Sequence, residues 1–590
     1  MTTRSFAIVF AVLALAIAFV PGIPPFWISL LNLIGLASLV SIGLVILTGV
    51  GGMTSFGQAA FVGFGAYTSA ILTTQYGLSP WMTLPIALLT TGIAALAIGL
   101  MTIRLSGHYL PLGTIAWGMA IYSLFGNLEM TGGFNGISGV PPLRLFGTAL
   151  ISPAQVYPLV WALVVLAVVI TCNLLDSRPG RAIRALRAGK TAAESFGVHT
   201  ERYKLVVFVY AALLAALSGW LFAHIQRAVT PTAFGLNAGI EYLLMAVLGG
   251  TGHVYGAVLG AAAVVILKDQ LQDILPAIFG SGGSYEIIVF GLLLVLILQF
   301  ARDGLWPLVS ARFAGSHTSK NVSSLESSVS PSPSALVTAE EILAAKDLVK
   351  RFGGLIAVNG VNLSVRGGEI VTLLGPNGAG KSTTFNLLTG IIRLSSGEVS
   401  ISGNRIDGLP PRRIAALGIA RTFQHVKLVA EMSVIENVTL GAHLRGSAGV
   451  FRAFLRLNRH EEQLLIQRAA QALDLIGLLD KADTTVSELS LGAARLVEIA
   501  RALCLEPRLL LLDEPAAGLR KFEKDALAAV LARLRDTGMG ILLVEHDMDF
   551  VMNLTDRILV LDFGTPIAEG TPVEIHRNAR VQEAYLGGVV

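Results

Sequence analysis

The run Glu369-Ile370-Val371-Thr372-Leu373-Leu374-Gly375-Pro376-Asn377-Gly378-Ala379-Gly380-Lys381-Ser382-Thr383 decides how this chain is read. Its last nine residues meet the pattern G-x-x-x-x-G-K-[ST] at every fixed position. The apolar run before them, Ile370 to Leu374, reads as a buried strand, and Thr384 to Leu388 can continue as a helix. Strand, glycine loop and helix is the order that phosphate binding needs. Glycines let backbone N–H groups close around phosphate oxygens, and the start of the helix adds positive potential. Lys381 is placed to reach the β/γ-phosphates of a nucleotide, and the Ser382 hydroxyl to ligate Mg²⁺.

Working outward, the composition splits the chain. Of 590 residues 53% are hydrophobic and only 14% charged, against roughly a quarter charged in ordinary soluble domains. The mean hydropathy is +0.69. Long apolar runs fill the region before about residue 303, and ordinary charge returns after about 340. A membrane half and a soluble half follow. The net charge of +4 needs no acidic partner when cationic residues gather in cytoplasmic loops. Two cysteines, Cys172 and Cys504, exclude a disulfide framework and a cysteine metal cluster.

A bilayer core of ~30 Å takes about 20 apolar residues per helix. Ten spans are expected, near 6–20, 27–48, 58–75, 82–103, 108–125, 156–175, 204–226, 238–252, 254–267 and 285–301. The first, within Met1 to Val20, reads as a membrane helix and not as a cleaved signal peptide. The eighth and ninth are short; they are counted as two spans, with one element broken at Gly249-Gly250-Thr251-Gly252 as the alternative. Arg178, Arg181, Arg184, Arg187, Lys190, Arg202 and Lys204 crowd one loop, which belongs on the cytoplasmic side. That parity puts both ends inside and places Thr131 to Pro142 outside, as a lid, a docking surface or a plain loop. The small residues around Gly57-Gln58-Ala59-Ala60 suit close helix packing, with Gln58 in need of a partner. His108, Glu129, His224 and Glu241 lie at or near span ends and are expected to be interfacial or hydrogen-bonded structural groups. No residue of this half is assigned to a solute. Ser316 to Ser334, rich in Ser and Pro, cannot bury a core and reads as a disordered linker.

Three stretches of the membrane half carry a resemblance: Gly57-Gln58-Ala59-Ala60-Phe61-Val62-Gly63-Phe64-Gly65-Ala66-Tyr67, Thr131 to Gly139, and Glu241 to Gly252. Together with Arg202-Tyr203-Lys204-Leu205 they resemble the permease subunits of bacterial ABC importers for branched-chain amino acids, over roughly residues 25–300. The resemblance implies that the basic loop docks into an ATPase through a short helix, with Glu194 and Gly197 in the coupling positions.

The soluble half resembles the ABC ATPases of the same importers. The likeness implies an adenine-stacking role for Phe352, and contact of Gln424, in Arg421-Thr422-Phe423-Gln424, with Mg²⁺ and the attacking water. Leu489-Ser490-Leu491-Gly492-Ala493 stands where ABC proteins carry L-S-G-G-Q. Ser490 and Gly492 are kept, while Leu491 and Ala493 depart from the pattern. The strand Leu509 to Leu512 ends in Asp513, expected to hold Mg²⁺, and Glu514, expected to be the general base. His546 ends another strand, Ile541 to Glu545, as a γ-phosphate sensor. Arg520 departs from the family pattern. The arginines 445, 452, 456 and 459 read as a solvated helix face within a mostly helical segment, 441–479.

The expected architecture is an α-helical polytopic membrane domain (1–305), a linker (306–342) and an α/β P-loop ABC ATPase domain with a helical subdomain (343–590). The expected function is ATP-driven import of branched-chain amino acids, with ATP and Mg²⁺ as cofactors. Gly375 to Thr383, Phe352, Asp513, Ser490 and Gly492 would bind nucleotide, and Ser382, Gln424 and Asp513 the metal. Glu514, His546 and Gln424 form the catalytic set. The expected partners are a second permease subunit, a second ABC ATPase, an extracytoplasmic substrate-binding protein, the solute and membrane lipid, with no nucleic acid. The expected location is the bacterial inner (plasma) membrane, multi-pass, with the ATPase cytoplasmic. An importer of urea, short amides or other small polar solutes is the alternative. A membrane-anchored regulatory ATPase is a reading from another class.

Overall fold

The computed structural model describes residues 22–279 except 104, 106 and 108, scattered positions between 288 and 299, residues 304–310, and residues 340–586. The expected span 6–20, His108, most of the span 285–301 and the Ser/Pro stretch lie outside the described residues. The chain divides into two compact units, Met1–Asp176 with Glu201–His317, and Ser177–Thr200 with Thr318–Val590. The basic loop Ser177–Thr200 therefore belongs with the soluble unit, although its two ends join helices of the first.

Among the described residues of the first unit, six helical stretches are long and apolar enough to cross a membrane: Pro25–Val50, Pro80–Thr102, Pro153–Leu175, Thr200–Gln226, Pro231–Gly249 and Val254–Leu275. Four of them open on proline, whose fixed φ and missing N–H suit the first helical turn. Pro25–Val50 ends in a π-helical turn, Val45–Val50. Two further expected spans are shorter or more polar helices, Gln58–Thr74 and Tyr109–Asn127. The first of these is about 25 Å long at 1.5 Å per residue. Small residues set the packing. A Cβ on Gly65 would lie 2.2 Å from the Ala216 carbonyl oxygen, and one on Gly219 1.9 Å from that of Val62, so Gln58–Thr74 and Thr200–Gln226 touch backbone to backbone.

The two short spans expected over 238–252 and 254–267 form a helical hairpin, and the alternative of one broken element does not hold. Leu236–Gly249 and Val254–Phe279 are separate helices. A Cβ on Gly249 would fall 1.9 Å from the Gly256 oxygen, and one on Gly260 1.9 Å from that of Met245. The glycines read as a break are thus a turn and a contact surface. The segment 131–142 is pinned, with Ile137–Ser138 pairing antiparallel with Ala228–Val229. His224 is buried, 2.8 Å from the Ser69 hydroxyl and 2.7 Å from the Pro141 carbonyl oxygen, the structural role expected of it. Gln58 differs from expectation. It is 1% exposed, and neither end of its amide has a partner among the described residues.

In the second unit a six-stranded sheet runs in the order Ile419–Arg421, Leu509–Asp513, Gly540–Val544, Ile370–Leu374, Arg557–Asp562, Thr565–Gly570. All neighbours are parallel save the last pair. The strands Ile370–Leu374, Leu509–Asp513 and Gly540–Val544 are buried at every residue, which is why they read as unbroken apolar runs. An antiparallel sheet holds Leu355–Arg366, Glu341–Phe352, Ser396–Ile401 and Asn404–Arg405. A helical layer includes Val434–Gly441, Arg459–Leu475 and Leu491–Leu503. The three central parallel strands deliver Gly375, Asp513 and His546 to one edge of the sheet, where ligands of open α/β sheets bind.

Candidate functional site: a phosphate loop and its docked loop

The phosphate loop leads into the helix Lys381–Leu388, whose N-cap Gly380 has φ +94°. Lys381 is buried, and its Nζ donates to the Gly375 and Pro376 carbonyl oxygens at 2.6 and 2.9 Å. Burial pushes its pKa down, while Glu514 and Asp513 pull the other way. The Gly375 N–H donates to the Tyr585 hydroxyl at 2.9 Å, a support from the last described helix, Ala579–Leu586, that no local motif announces.

Glu514 is the centre of the opposite wall. Gln424 Nε2 donates to one carboxylate oxygen at 3.1 Å, and His546 Nε2 lies 2.8 Å from the other. All three expected catalytic groups are therefore in one hydrogen-bonded row. The backbone of Glu514 is left-handed, φ +49°, an uncommon state for a residue with a side chain. Its N–H is fixed to the Val544 oxygen at 2.8 Å. Asp513 is buried beside Arg421 at 3.6 Å, and burial raises its pKa against the pull of that arginine. Asp513 Oδ1 is buried without a partner among the described residues, the condition of an oxygen placed to take a cation. Phe352 is 47% exposed at the end of its strand with Lys350 Nζ 4.9 Å from the ring centroid, so it is no core residue and is free to stack. Ser490 caps Leu491–Leu503, accepting from Ala493 N–H at 3.3 Å. Gly492 packs so closely on the Glu523 carboxylate that a Cβ would lie 2.3 Å from its oxygen. Arg520 serves as the N-cap of Lys521–Asp536.

Around this site the loop Ser177–Thr200 is seated. Its helix Arg178–Ala188 carries arginines at every third position, and each has an acidic partner: Arg178 with Glu461 (3.8 Å), Arg181 with Glu462 (2.7 Å), Arg184 with Glu436 (3.1 Å) and Arg187 with Glu431 (2.9 Å). Arg178 also donates to the His443 and Ala448 oxygens, both at 2.8 Å. Gly197 has φ +82°, and a Cβ there would lie 2.3 Å from Leu444 Cγ. Glu194 turns inward, accepting from Thr200 Oγ1 at 2.8 Å, and thus closes the loop on itself. Arg445, read as part of a solvated face, pairs with Glu506 at 3.2 Å and donates to the Leu505 oxygen at 2.9 Å.

A buried chain of charges runs from the docked loop toward Glu514. The Arg501 guanidinium lies 4.5 Å from the centroid of Phe196 and donates to the Lys427 oxygen at 2.8 Å and to Glu498 at 3.3 Å. Glu498 accepts from Lys427 N–H at 2.7 Å. Arg495 donates to the Phe423 oxygen at 2.7 Å and to the Gln424 oxygen. Sequence reasoning missed Arg495, Glu498 and Arg501. Their three-residue spacing on one helix is a signal of i, i+3 pairing, but nothing local marks that face as buried.

Three family models match the chain: the branched-chain amino acid transport system/permease component at residues 26–298, the ABC transporter at 358–517, and the branched-chain amino acid ATP-binding cassette transporter at 565–590. The high-affinity branched-chain amino acid transport ATP-binding protein LivG of Salmonella typhimurium is 46% identical over 251 residues, 42% of this chain and 98% of that protein. LivG of Escherichia coli K12 is 45% identical over the same shares. BraF of Pseudomonas aeruginosa, of the same description, is 44% identical over 253 residues, again 42% and 98%.

Proposed function

Because this chain belongs to the branched-chain amino acid ABC transporter family, we propose that it is a fused permease and ATPase that imports leucine, isoleucine and valine at the expense of ATP. The domains are assigned as 1–305 for the permease, 306–342 for the linker and 343–590 for the ATPase. Observations in both halves favour the branched-chain solute over urea or a short amide, since the permease model and the ATPase relatives carry the same description.

ATP is held by Gly375 to Thr383, with Lys381 leaving its two carbonyl partners for the β/γ-phosphates and Phe352 stacking on the base. Mg²⁺, which would be held by Ser382, Asp513 and Gln424, supplies charge neutralisation at the phosphates. Glu514 takes the proton of the attacking water, and Gln424 and His546 hold its carboxylate in place. Ser490 and Gly492 present their helix start to the nucleotide of a second ATPase. Seating of Gly197 and the four arginines in the ATPase lets closure pull on the helices that flank the loop.

The carrying observation is this loop, which joins two membrane helices yet folds within the ATPase unit. A second permease, a second ATPase and an extracytoplasmic binding protein complete the assembly, in a bacterial inner membrane with the ATPase in the cytoplasm. The test is ATP-driven uptake of radiolabelled leucine into proteoliposomes holding those partners. Uptake only with the binding protein is expected. No uptake of any branched-chain amino acid, or equal uptake without that protein, overturns the proposal.

A further inference from the structure

Glu241 and Lys268 form an ion pair, Nζ to Oε1 at 2.7 Å, with 28% and 37% of their side chains exposed. Both lie inside membrane spans. Glu241 is in Pro231–Gly249 and Lys268 in Val254–Leu275. At 1.5 Å per residue Lys268 is about 10 Å or more from either end of its span, and Glu241 is about 7 Å from the start of its helix at Leu236 and about 12 Å from Gly249. Ionised side chains at that depth are costly against lipid, and they face protein or water.

The pair is not what closes the hairpin. Its helices already meet through Gly249 on Gly256 and Gly260 on Met245, with Leu244, Met245, Ala261 and Val264 buried. That register sets Glu241 opposite residue 264, and Lys268 reaches back one turn to meet it. The flank beyond stays open and polar, with Gln270 and Asp273 exposed. Ile266 and Ile274, also exposed, set aliphatic surface one turn either side of Gln270.

We infer that Glu241 and Lys268 line the water-filled path of the solute and bind its zwitterionic head, Glu241 taking the α-ammonium and Lys268 the α-carboxylate. The inference rests on the amino-acid solute proposed above. A zwitterion offers one charge to each member of the pair, so the bridge opens without leaving either charge unpartnered. An uncharged solute offers no such exchange.

The test uses the assembled transporter in proteoliposomes. Glu241→Gln, Lys268→Gln and the double variant are each expected to raise KM for the amino acid at least tenfold. Lys268→Cys, made with Cys172→Ser and Cys504→Ser, is expected to react with a water-soluble methanethiosulfonate reagent, and transported amino acid is expected to slow that reaction. A double variant with wild-type KM makes the pair a structural bridge and overturns the inference. A Lys268→Cys thiol that stays unreactive, or reacts at the same rate with solute present, does the same. Wild-type vesicles that import no amino acid sink the proposed function and this inference together. Wild-type import with unchanged KM in the variants sinks this inference alone.

Discussion

Gly197→Ala places one methyl group where the docked loop has no room for it. The backbone there is left-handed, φ +82°, and the added carbon would sit 2.3 Å from both Cγ and Cδ2 of Leu444. The conformation costs an alanine about 1–2 kcal/mol. Forcing the Leu444 side chain aside adds about 1–3 kcal/mol. The backbone cost falls on the loop's own turn, while the clash falls on the docked state alone, and the lower end of the clash already shifts docking by a factor of about five. Gly197→Asp adds a carboxylate at the same place and is expected to be harsher. The assay is leucine taken up per ATP hydrolysed in proteoliposomes. That ratio should collapse while hydrolysis persists. Leu444→Ala in the same chain removes the clash but not the backbone cost, so the double variant should regain part of the ratio, and the cycle of four proteins measures the contact. A Gly197→Ala transporter with the wild-type ratio would refute the docking argument, as would a Leu444→Ala partner that recovers nothing.

Glu514→Gln keeps the shape of the group between Gln424 and His546 but removes its basicity. ATP binding should persist while phosphate release falls by about 10²–10⁴-fold, and single-turnover hydrolysis at the wild-type rate would strip Glu514 of its role. Arg501→Met leaves Glu498, almost wholly buried, without its nearest cation. The unfolding free energy should drop by about 3–5 kcal/mol, with part recovered on adding Glu498→Met, and denaturant unfolding reads both. His443 is pushed from 6.5 down to about 3 by burial and by Arg178 and Arg181. A folded-state value below the unfolded one means the folded unit binds fewer protons. Its contribution is whole above about pH 6.5 and is lost as pH falls toward 3. At pH 5 the loss is about 2 kcal/mol, and His443→Gln should flatten that acid dependence in thermal unfolding.

The wall around Glu514 was legible because phosphate-loop and strand-end motifs place fixed residue types at the ends of apolar strands. Gly375 to Thr383, Asp513, Glu514 and His546 each follow such a strand, and parallel pairing brings the strand ends together. The arginines 178, 181, 184 and 187 were also legible, as part of one basic cytoplasmic loop. Their partners Glu431, Glu436, Glu461 and Glu462 were not, because more than 240 residues separate them and charge pairing leaves no local periodicity. Arg501 was hidden for another reason. It is 2% exposed, whereas arginine is rarely buried unless paired, and the pairing is visible only in three dimensions. Lys268 was lost at a boundary. The span expected over 254–267 stops one residue short of it, but the helix runs on to Phe279. Length sets that helix, and a paired charge inside it does not stop it.

The row of arginines bears on how such cassettes are recombined. A chimera that joins this ATPase to the membrane half of a relative would present Glu431, Glu436, Glu461, Glu462 and the Leu444 side chain to a foreign cytoplasmic segment. Four acids would then lose their cations, and any side chain in place of Gly197 would ride on Leu444. A working graft has to cut the polypeptide outside Ser177–Thr200 and carry that insert along with the cassette. The natural seam of this molecule therefore does not coincide with the covalent junction between its halves.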